Sequence, residues 1–325
     1  MSGPNRILIT GGAGFIGSHV ADGYIEAGCD VTIVDDLSTG RRENVNPSAR
    51  FHERDIRAED LEGVFREERP EIVNHHAAQI SVPDSVRDPG FDAKVNVIGF
   101  INVLQCSIKY GVKKIISISS GGAIYGEAGE YPTSESYPPR PLSPYAITKL
   151  VSEHYLEFYR HQYGLDYTVL RYSNIYGPRQ APKGEAGVVS IFIENISAGK
   201  RSIVYCFPDE TEGMERDYCY VGDVVKANLA ALKDGATGVF NVGTGTATKT
   251  LGLYNAIYKL LDNPDPELAI PLKAPARDGD IRRSCLKTEK AQRSLGWTPS
   301  ISLEDGLRKT VEWYVHRKIS DIRHP

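Results

Sequence analysis

Cysteine is scarce in this sequence, and its spacing gives no pairing pattern. The 325 residues include five cysteines, an odd number without C-x-x-C spacing: Cys29, Cys106, Cys206, Cys219 and Cys285. This distribution is typical of free, mostly buried thiols in a reducing compartment, so we expect a cytoplasmic protein. The sequence predicts no metal site.

Long apolar runs and a strong charge of one sign are also missing. No apolar run approaches the roughly 20 residues that a membrane-spanning helix needs. The stretch RILITGGAGFIG begins structured sequence close to the first residue, so we expect no signal peptide. The formal net charge of −4 gives no reason to expect nucleic acid or an anionic membrane as the main partner.

Short β-branched runs alternate with longer helical stretches through the first half of the chain. The runs are nearly all apolar, as in parallel strands that helices cover on both faces. This alternation predicts an α/β fold with a Rossmann-type, doubly wound parallel sheet. The predicted strands are 6–10, 31–35, 71–75 and 114–119, and the predicted helices are 15–28, 59–69 and 91–111.

The pattern loosens after a further predicted strand at 168–174. We predict a nucleotide-binding domain over 1–176 and a smaller α/β substrate domain mainly over 177–325, with segments around 221–250 returning to the first domain. Loops rich in glycine, proline and charge lie at 177–187, 206–217 and 271–283. The later predicted elements are helices at 188–199, 221–234, 249–261 and 303–318 and a strand at 238–245.

Three glycines, Gly11, Gly14 and Gly17, lie between the first predicted strand and the first predicted helix. Glycines at this place permit a tight turn and let the backbone and the helix N-terminus approach a pyrophosphate. Asp35 ends the second predicted strand, where an acid would hold the ribose hydroxyls of adenosine. A turn needed for packing alone would leave Asp35 unexplained, so we predict a dinucleotide site.

Asp35 also bears on the choice of dinucleotide. A carboxylate at this position repels a 2′-phosphate, so the sequence predicts NAD rather than NADP. Arg41 and Arg42 follow shortly afterwards and would suit a 2′-phosphate. We expect these two arginines to face the surface instead.

Tyr145 and Lys149 lie four residues apart in SPYAITK and so share one helix face. A tyrosine has an ordinary pKa near 10, but a nearby ammonium group and a positive nicotinamide ring both favour the phenolate. Alone, such a pair is more often a solvated surface. Ser120 follows the strand predicted at 114–119, where its hydroxyl can bond the substrate oxygen from which Tyr145 takes a proton. The order of these motifs predicts a proton-transfer site.

The glycine turn, Asp35 and the serine, tyrosine and lysine resemble the extended form of the short-chain dehydrogenase/reductase superfamily. The resemblance implies that Lys149 holds the nicotinamide ribose and that Asn96 supports the strand carrying the catalytic serine. A solvent-facing Asn96 is the alternative. The implied NAD contacts are Gly11, Gly14, Phe15, Ile16, Gly17, Asp35, Asp36, Ser38, Thr39, Gly40, Asp55, Ile56, His76, Ala77, Ala78, Gln79, Asn96, Ser119, Tyr145, Lys149 and Tyr172.

Three later stretches resemble the sugar-nucleotide branch of that family: LRYSNIYGPRQ, ERDYCYVGDVV and ARDGDIR. The resemblance places Tyr172 and Ser173 near the nicotinamide. It places two arginines, Arg216 and Arg277, on a diphosphate, whose oxygens suit the planar guanidinium. Either arginine alone would be interpreted as part of a surface ion pair. The implied substrate contacts are Ser120, Gly121, Gly122, Tyr145, Asn174, Gly187, Val188, Val204, Tyr205, Arg216, Tyr218, Arg277, Asp280 and Ser284.

The stretch SGGAIYG, residues 120–126, separates the reactions of that branch because it contains no carboxylate. Sugar-nucleotide 4,6-dehydratases generally carry an acid pair after the serine or threonine, and UDP-glucuronate decarboxylases carry a glutamate shortly before the final tyrosine and glycine. The chain most resembles the UDP-glucose (UDP-galactose) 4-epimerases. This resemblance implies that Tyr145 takes the proton of O4 while C4 gives hydride to NAD⁺, and that the 4-keto sugar turns over before hydride returns.

Two departures from the family pattern affect the site. The double glycine lengthens the serine loop, so Ser119 is the alternative to Ser120 as the catalytic hydroxyl. The stretch 204–218 is longer and more acidic than its counterpart, which normally touches uracil, and a mobile surface insertion is the alternative reading.

Ser284 stands where the family places the side chain that limits an N-acetyl group. Its small size predicts that UDP-GlcNAc and UDP-GalNAc are accepted, and we expect 184–189 to shape the same pocket.

Other activities remain open from the sequence. A UDP-glucuronate 4-epimerase is the nearest rival, although no cation or hydroxyl cluster for its carboxylate is evident. Missing acids disfavour a 4,6-dehydratase, Asp35 disfavours an NADPH-dependent reductase, and the complete catalytic set disfavours a non-catalytic NAD sensor. In the resembling family the helices corresponding to 91–111 and 145–163 pair across a dimer interface, so we expect a homodimer.

Overall fold

The computed structural model describes residues 5–182, 187–261, 265–277 and 279–323. Seven strands form its main sheet: β1 (Arg6–Thr10), β2 (Asp30–Asp35), β3 (Arg50–Glu53), β4 (Ile72–His75), β5 (Lys114–Ser120), β6 (Asp166–Tyr172) and β10 (Gly238–Val242). Their order is β10-β6-β5-β4-β1-β2-β3, and each neighbouring pair is parallel. The predicted Rossmann-type α/β fold is confirmed.

Helices cover both faces of this sheet, which explains why its strands are so apolar. The helices are α1 (Phe15–Glu26), α2 (Leu61–Glu68), α3 (Val82–Arg87), α4 (Pro89–Ala93), α5 (Phe100–Lys109), α6 (Gly121–Ile124), α7 (Pro144–Tyr163), α8 (Val188–Ser197), α9 (Val221–Ala231), α10 (Thr250–Leu260), α11 (Glu289–Leu295) and α12 (Leu303–Arg323). One buried cluster joins the sheet to α1, α9 and α11, and another joins the opposite face to α2, α5 and α7.

The second half of the chain builds two smaller sheets beside the main one. A third apolar cluster packs α8, α10 and α12 against them. The central strand, β9 (Glu215–Tyr220), pairs with β7 (Asn174–Tyr176), β11 (Ala247–Lys249) and β13 (Arg283–Ser284), while β8 (Ile203–Cys206) pairs with β12 (Leu272–Pro275). Because β10 lies in the main sheet, the chain crosses between the two parts more than once.

Besides the strands of the smaller sheets and some short helices, three elements differ from the sequence prediction. β3 was not predicted, because this edge strand reads RFHE and stays partly exposed. The helix predicted at 91–111 begins at Pro89 and is interrupted by a π-helical turn at Lys94–Gly99. The strand predicted at 168–174 ends at Tyr172, and Asn174 begins β7 in another sheet. Among the described residues, every helix is too short or too polar to span a bilayer.

Candidate active site

Two adjacent cavities lie at the carboxyl ends of the main-sheet strands, where parallel α/β sheets bind their ligands. The first, of about 300 Å³, follows β1, β2 and β4. Most of the predicted NAD contacts line it: Gly11, Gly14, Asp35, Asp36, Ser38, Thr39, Asp55, Ile56, His76, Ala77, Ala78 and Gln79. Sequence reasoning missed further lining residues: Val34, Arg54, Arg57, Ile80, Ser81, Asp84, Phe91 and Val95.

The glycine turn is close-packed against the segment that follows β4. Gly11 has φ +70°, and a Cβ there would lie 2.6 Å from the backbone nitrogen of Ala77. Gly17 approaches the turn so closely that its Cβ would lie 2.2 Å from the carbonyl oxygen of Gly11. The turn thus places the N-terminus of α1 at the first cavity, and a helix N-terminus suits a pyrophosphate. Phe15, Ile16, Gly17 and Gly40, also predicted to contact NAD, do not line the described cavity.

Asp35 faces the first cavity and also holds the glycine turn. Its carboxylate accepts hydrogen bonds from the backbone N–H groups of Ala13 and Leu37, both at 2.9 Å. Burial raises the pKa of Asp35, and these backbone donors oppose the rise. The carboxylate therefore remains where a ribose hydroxyl would meet it and a 2′-phosphate would be repelled.

The arginines that might have favoured NADP lie outside the first cavity. Arg41 pairs with Glu43 at 3.3 Å, and the Arg42 guanidinium lies 4.0 Å from the centre of the Phe51 ring. Both contacts are the surface roles expected from the sequence. Arg54 and Arg57 do line the cavity, but each pairs with an aspartate, Asp60 and Asp55 respectively.

The residues present fit a nicotinamide dinucleotide. Two buried polar atoms, His76 Nε2 and Ser173 Oγ, have no hydrogen-bond partner in the described part of the chain. His76 lines the first cavity and Ser173 the second, so the two unsatisfied atoms flank the junction between them. Burial lowers the pKa of His76 to about 3, which keeps the imidazole neutral. A polar ligand at this junction would satisfy both groups.

The second cavity, of about 400 Å³, continues from the first, and Ile80 and Ser81 line both. It contains the predicted Ser120, Gly122, Tyr145, Asn174, Arg216, Arg277 and Asp280. Sequence reasoning missed Val82, Pro83, Leu142, Ser143, Gly279 and Ile281. The stretch SVPDS could have indicated a helix that starts at this cavity, because a serine before a short helical run is a typical N-cap. In the structure Ser81 caps α3 by accepting a hydrogen bond from the backbone N–H of Asp84.

Helix α7 brings Tyr145 to the wall of the second cavity. Ser143 caps the helix by accepting from the backbone N–H of Ala146 at 3.2 Å, and Pro144 occupies the first turn. Tyr145 therefore lies at the helix N-terminus, with Lys149 one turn further on. The Lys149 Nζ lies 5.9 Å from the centre of the Tyr145 ring and donates to the carbonyl oxygen of Ile118 at 3.1 Å.

The pKa of Tyr145 differs from the sequence prediction of a phenolate favoured by Lys149. Burial raises this pKa to about 12, a hydrogen bond with Ser120 opposes the rise, and the Asp92 carboxylate adds to it. Burial also lowers the pKa of Lys149 to about 8. Desolvation thus outweighs the lysine in the protein alone, and Tyr145 carries its proton at neutral pH.

The two serines of the catalytic loop have different surroundings. Ser120 lines the second cavity and bonds Tyr145. Ser119 is buried on the other side of β5, where its hydroxyl donates to Glu153 at 2.5 Å. Glu153 is paired with Arg171 at 2.6 Å. Ser119 was predicted as an NAD contact and as the alternative catalytic hydroxyl, but it belongs to this buried pair because successive side chains of a strand alternate between faces.

Asn96 is buried and does not face solvent. Its side-chain oxygen accepts from the backbone N–H of Gln79 at 2.8 Å, and its amide donates to the carbonyl oxygen of Gln79 at 2.9 Å. The expectation that Asn96 supports β5 is corrected. Asn96 fixes the segment after β4, because the π-helical turn that contains it packs there.

Several predicted contacts are instead packing residues. The Tyr172 hydroxyl accepts from Asn228 at 2.7 Å inside the core, and Tyr172 does not line either described cavity. Tyr218 belongs to the third apolar cluster, and burial raises its pKa to about 12. A Cβ on Gly121 would lie 2.6 Å from Leu286, so this glycine serves packing, whereas Gly122 opens toward Asn174 and Ser284.

The segments at 187–188 and 204–205 also lie behind the described cavity wall. A Cβ on Gly187 would collide with Gln180, and Val188 and Val204 pack in the third apolar cluster. Tyr205 supports the wall indirectly, because the Arg277 guanidinium lies 4.8 Å from the centre of its ring. Residues 184–186, expected to shape the pocket, lie outside the described residues.

The cationic wall of the second cavity comes from Arg216 and Arg277. Arg216 donates to the carbonyl oxygen of Ile281 at 2.7 Å, and burial lowers its pKa. Arg277 pairs with Asp280 at 3.1 Å. The backbone of β13 pairs with β9, which sets Ser284 beside Arg216. This wall presents two guanidinium groups and one carboxylate to a ligand.

The acidic stretch 204–218 is held by ion pairs beside that wall. Arg282 pairs with Asp209 at 2.8 Å and lies 4.2 Å from the centre of the Phe207 ring. Lys249 pairs with Glu212 at 2.6 Å on the other side of the loop. These contacts fix the loop at both flanks, and of this stretch only Arg216 lines the described cavity.

Comparison with known proteins gives one family. The model described as the NAD dependent epimerase/dehydratase family matches residues 7–243. The structure of Thermotoga maritima UDP-glucose 4-epimerase with UDP-glucose is 49% identical and has a TM-score of 0.91 over 96% of this chain and 99% of that one. For Thermus thermophilus UDP-glucose 4-epimerase in complex with NAD, identity is 44% and the TM-score is 0.90, over 95% and 99% of the two chains.

A third structural neighbour acts on an acetylated sugar. The UDP-N-acetylglucosamine 4-epimerase from Methanobrevibacter ruminantium, in complex with UDP-N-acetylmuramic acid, is 32% identical to this chain. Its TM-score is 0.88, and the match covers 97% of this chain and all of the neighbour. The similarity therefore extends over both the cofactor and the substrate parts of the molecule.

Proposed function

Because the chain belongs to the NAD dependent epimerase/dehydratase family, we propose that it is an isomerase that interconverts UDP-hexoses differing at C4 of the sugar. NAD is its cofactor, and UDP-glucose and UDP-galactose are the expected pair. Residues 1–176, with the returning β10, carry the cofactor. Residues 177–325 add the charged part of the second cavity, Arg216, Arg277 and Asp280, while most of its lining residues come from the first 176 residues.

One observation carries this proposal: among the described residues that line the second cavity with Ser120 and Tyr145, there is no unpaired carboxylate. Ser120 and Tyr145 share the second cavity with Gly122 and Ala123. Among the described residues lining that cavity, the carboxylate is Asp280, which pairs with Arg277. Elimination of water across C5 and C6 needs a further acid and base, whereas epimerisation at C4 needs neither.

The chain's own residues handle the proton of the sugar O4. Tyr145 takes this proton and returns it, while the Ser120 hydroxyl bonds the same oxygen and holds it in place. Lys149 keeps a positive charge one helical turn below Tyr145. Bound NAD supplies the hydride acceptor for C4 and a positive ring whose charge favours the Tyr145 phenolate. Arg216 and Arg277 anchor the diphosphate, so the sugar can turn over without leaving.

Product analysis tests this function. The protein is incubated with UDP-galactose without added reductant, and the products are separated and identified. We expect UDP-glucose to accumulate to equilibrium with no net formation of NADH. A 4-keto-6-deoxy product would identify a dehydratase instead, and no product from any UDP-hexose or UDP-uronate would favour an NAD-binding sensor.

Acceptance of N-acetylated sugars follows from a small side chain in the wall. Ser284 is buried next to the catalytic loop: its Oγ lies 3.9 Å from the position of a Cβ on Gly122, which lines the second cavity. We expect UDP-GlcNAc and UDP-GalNAc to be turned over. Ser284→Tyr should abolish turnover of these two sugars alone, and Ser284→Ala is the matched control. Equal loss for all four substrates would contradict this role.

The proposed assembly is a cytoplasmic homodimer. Apolar side chains on the α4–α5 and α7 surfaces are unusually exposed: Phe91 (45%), Ile98 (58%), Ile147 (48%) and Phe158 (51%). An apolar surface of this kind is typical of a subunit interface. The five cysteines are free thiols, as in a reducing compartment. Light scattering should give twice the chain mass, and Ile98→Glu should give a monomer.

A further inference from the structure

Asp92 is a fully buried carboxylate in α4 that the proposed reaction does not use. It accepts hydrogen bonds from Thr148 Oγ1 at 2.7 Å, from Gln79 Nε2 at 2.9 Å and from Asn96 Nδ2 at 3.1 Å. These donors belong to three different segments of the fold. A buried carboxylate is costly unless it is well bonded, so its presence here needs an explanation.

The first consequence of this arrangement is mechanical. Thr148 precedes Lys149 on α7, and Gln79 lines the first cavity. Asn96 additionally accepts a hydrogen bond from the backbone N–H of Gln79 and donates one to its carbonyl oxygen. Asp92 therefore connects the nucleotide segment after β4 to the helical turn that carries the lysine.

The second consequence is electrostatic. Lys149 is 7% exposed, and the Asp92 and Glu153 carboxylates are the anions that favour its charged form. Glu153 already pairs with Arg171 at 2.6 Å. Among the described residues, Asp92 has no cationic partner of its own. It is therefore the carboxylate left to compensate the lysine.

Other titratable groups also face Lys149. His75 and His76, on the segment at the end of β4, are kept neutral because burial lowers their pKa. Tyr145 lies one turn away on α7, and the Asp92 charge raises its pKa as well. The same carboxylate thus acts on both members of the tyrosine–lysine pair.

We propose that Asp92 is a positioning residue that holds Lys149 charged and in register with the nucleotide segment. Its carboxylate fixes Thr148 and Gln79 together, and its charge offsets the cost of burying the ammonium group. This role rests on the proposed function, because it concerns the residues that would move the O4 proton.

Asp92→Asn tests the electrostatic part. The amide keeps the shape but removes the charge, so the pKa values of Lys149 and Tyr145 should both fall. We expect both limbs of the kcat profile for UDP-galactose to move to lower pH by about one unit, while the KM stays within about twofold. Asp88→Asn is the matched control, since Asp88 caps the same helix at the exposed surface and asparagine caps equally well. A loss of kcat without a shift of the profile would overturn the electrostatic role.

Thr148→Val tests the mechanical part even where Asp92→Asn folds poorly. This variant keeps the charge and the volume but removes the 2.7 Å hydrogen bond. We expect kcat to fall several-fold with no shift of the pH profile, because helix register rather than charge is changed. A wild-type kcat in Thr148→Val would overturn the mechanical role.

Affinity for NAD, measured calorimetrically on the full chain, separates failure of this inference from failure of the proposed function. Asp92→Asn should weaken NAD binding about fivefold through Gln79, and Asp88→Asn should not. If the wild-type protein turns over no UDP-hexose, the proposed function fails, and the NAD affinities still decide whether Asp92 supports the nucleotide segment. Equal affinities for wild type and Asp92→Asn would then exclude it.

Discussion

Tyr145 has a pKa of about 12 in the protein alone, although the proposed reaction requires it to exchange a proton near neutral pH. Burial accounts for the high value, and the same burial lowers the pKa of Lys149 to about 8. The two values move apart from their ordinary values of 10.0 and 10.5, so in the protein alone Tyr145 holds its proton more tightly than Lys149 does. A positive nicotinamide ring next to Tyr145 would lower the pKa of this tyrosine and favour the phenolate.

Removing the Tyr145 hydroxyl should remove the proton transfer. Tyr145→Phe keeps the ring but has no atom to accept or return the O4 proton, so kcat for UDP-galactose should fall by roughly 10²–10⁴-fold. The KM should change little. Tyr163→Phe is the control, because Tyr163 lies at the exposed end of the same helix. A Tyr145→Phe variant with near-wild-type kcat would contradict the assigned role.

At Gly11 both the backbone conformation and the close contact with Ala77 restrict substitution. Gly11→Ala would add positive-φ strain and place a Cβ 2.6 Å from the Ala77 backbone. We expect a loss of NAD affinity of at least tenfold and a lower melting temperature. Gly28→Ala is the control: Gly28 has φ +81°, and a Cβ there would meet no atom within 4 Å. It should cost only about 1 kcal/mol.

Sequence spacing was enough to predict the residues that belong to local motifs. The glycines, Asp35, Ser120, Tyr145 and Lys149 each follow a strand or share a helix face, so local geometry indicates their position. Tyr172 was predicted together with Ser173 and Asn174; its ring packs in the first core cluster, 6.5 Å from the His76 ring, and its contact with NAD stays a prediction. The pKa values could not be predicted, since they depend on burial by distant segments.

At the scale of secondary-structure elements, the buried Arg171–Glu153 pair joins β6 to α7 close to Ser119, the neighbour of Ser120. The side chains are 6% and 8% exposed, and Ser119 and Tyr125 add hydrogen bonds from β5 and the turn after α6. Such a pair fixes the relative positions of three elements that carry the site. Loss of one partner would also strongly lower the free energy of unfolding, because the other charge would stay buried without a counter-charge.

Arg171→Leu should therefore destabilise the fold by about 3–5 kcal/mol, because Glu153 stays buried without its cation. Chemical denaturation of the full chain measures this free energy of unfolding. Lys109→Leu is the matched control: Lys109 pairs with Glu62 at 2.8 Å, but both side chains are largely exposed. Its effect on the free energy of unfolding should be far smaller, because solvent screens an exposed ion pair. Equal costs for the two variants would contradict the structural role of the buried pair.

The apolar strands and long helices of the main sheet were predictable, whereas the smaller sheets were not. β7, β9 and β13 are short and pair segments that lie far apart in the sequence, such as Asn174 with Tyr218. Their pairing depends on tertiary contacts rather than on local pattern. The π-helical turn at Lys94–Gly99 likewise follows from packing, since its residues read as continuous helix.

At the scale of the whole molecule, the second cavity is assembled from distant parts of the chain. Segments 80–83, 120–123, 142–145, 173–174 and 279–281 meet there, together with Arg216 and Arg277. A Cβ on Gly279 would lie 3.8 Å from Val82, so the two halves of the chain come together at the rim of the cavity. A sugar nucleotide in this cavity would contact both halves, which explains why no single motif identifies the substrate.

The central claim is that hydride leaves C4 and returns to the same carbon with nothing eliminated. UDP-galactose carrying deuterium at C4 tests it most directly: the full chain converts the labelled sugar, and NMR and mass spectrometry locate the label in the product. We predict UDP-glucose that retains deuterium at C4, with none released to water. Deuterium at C6, or its loss to solvent, would contradict the claim.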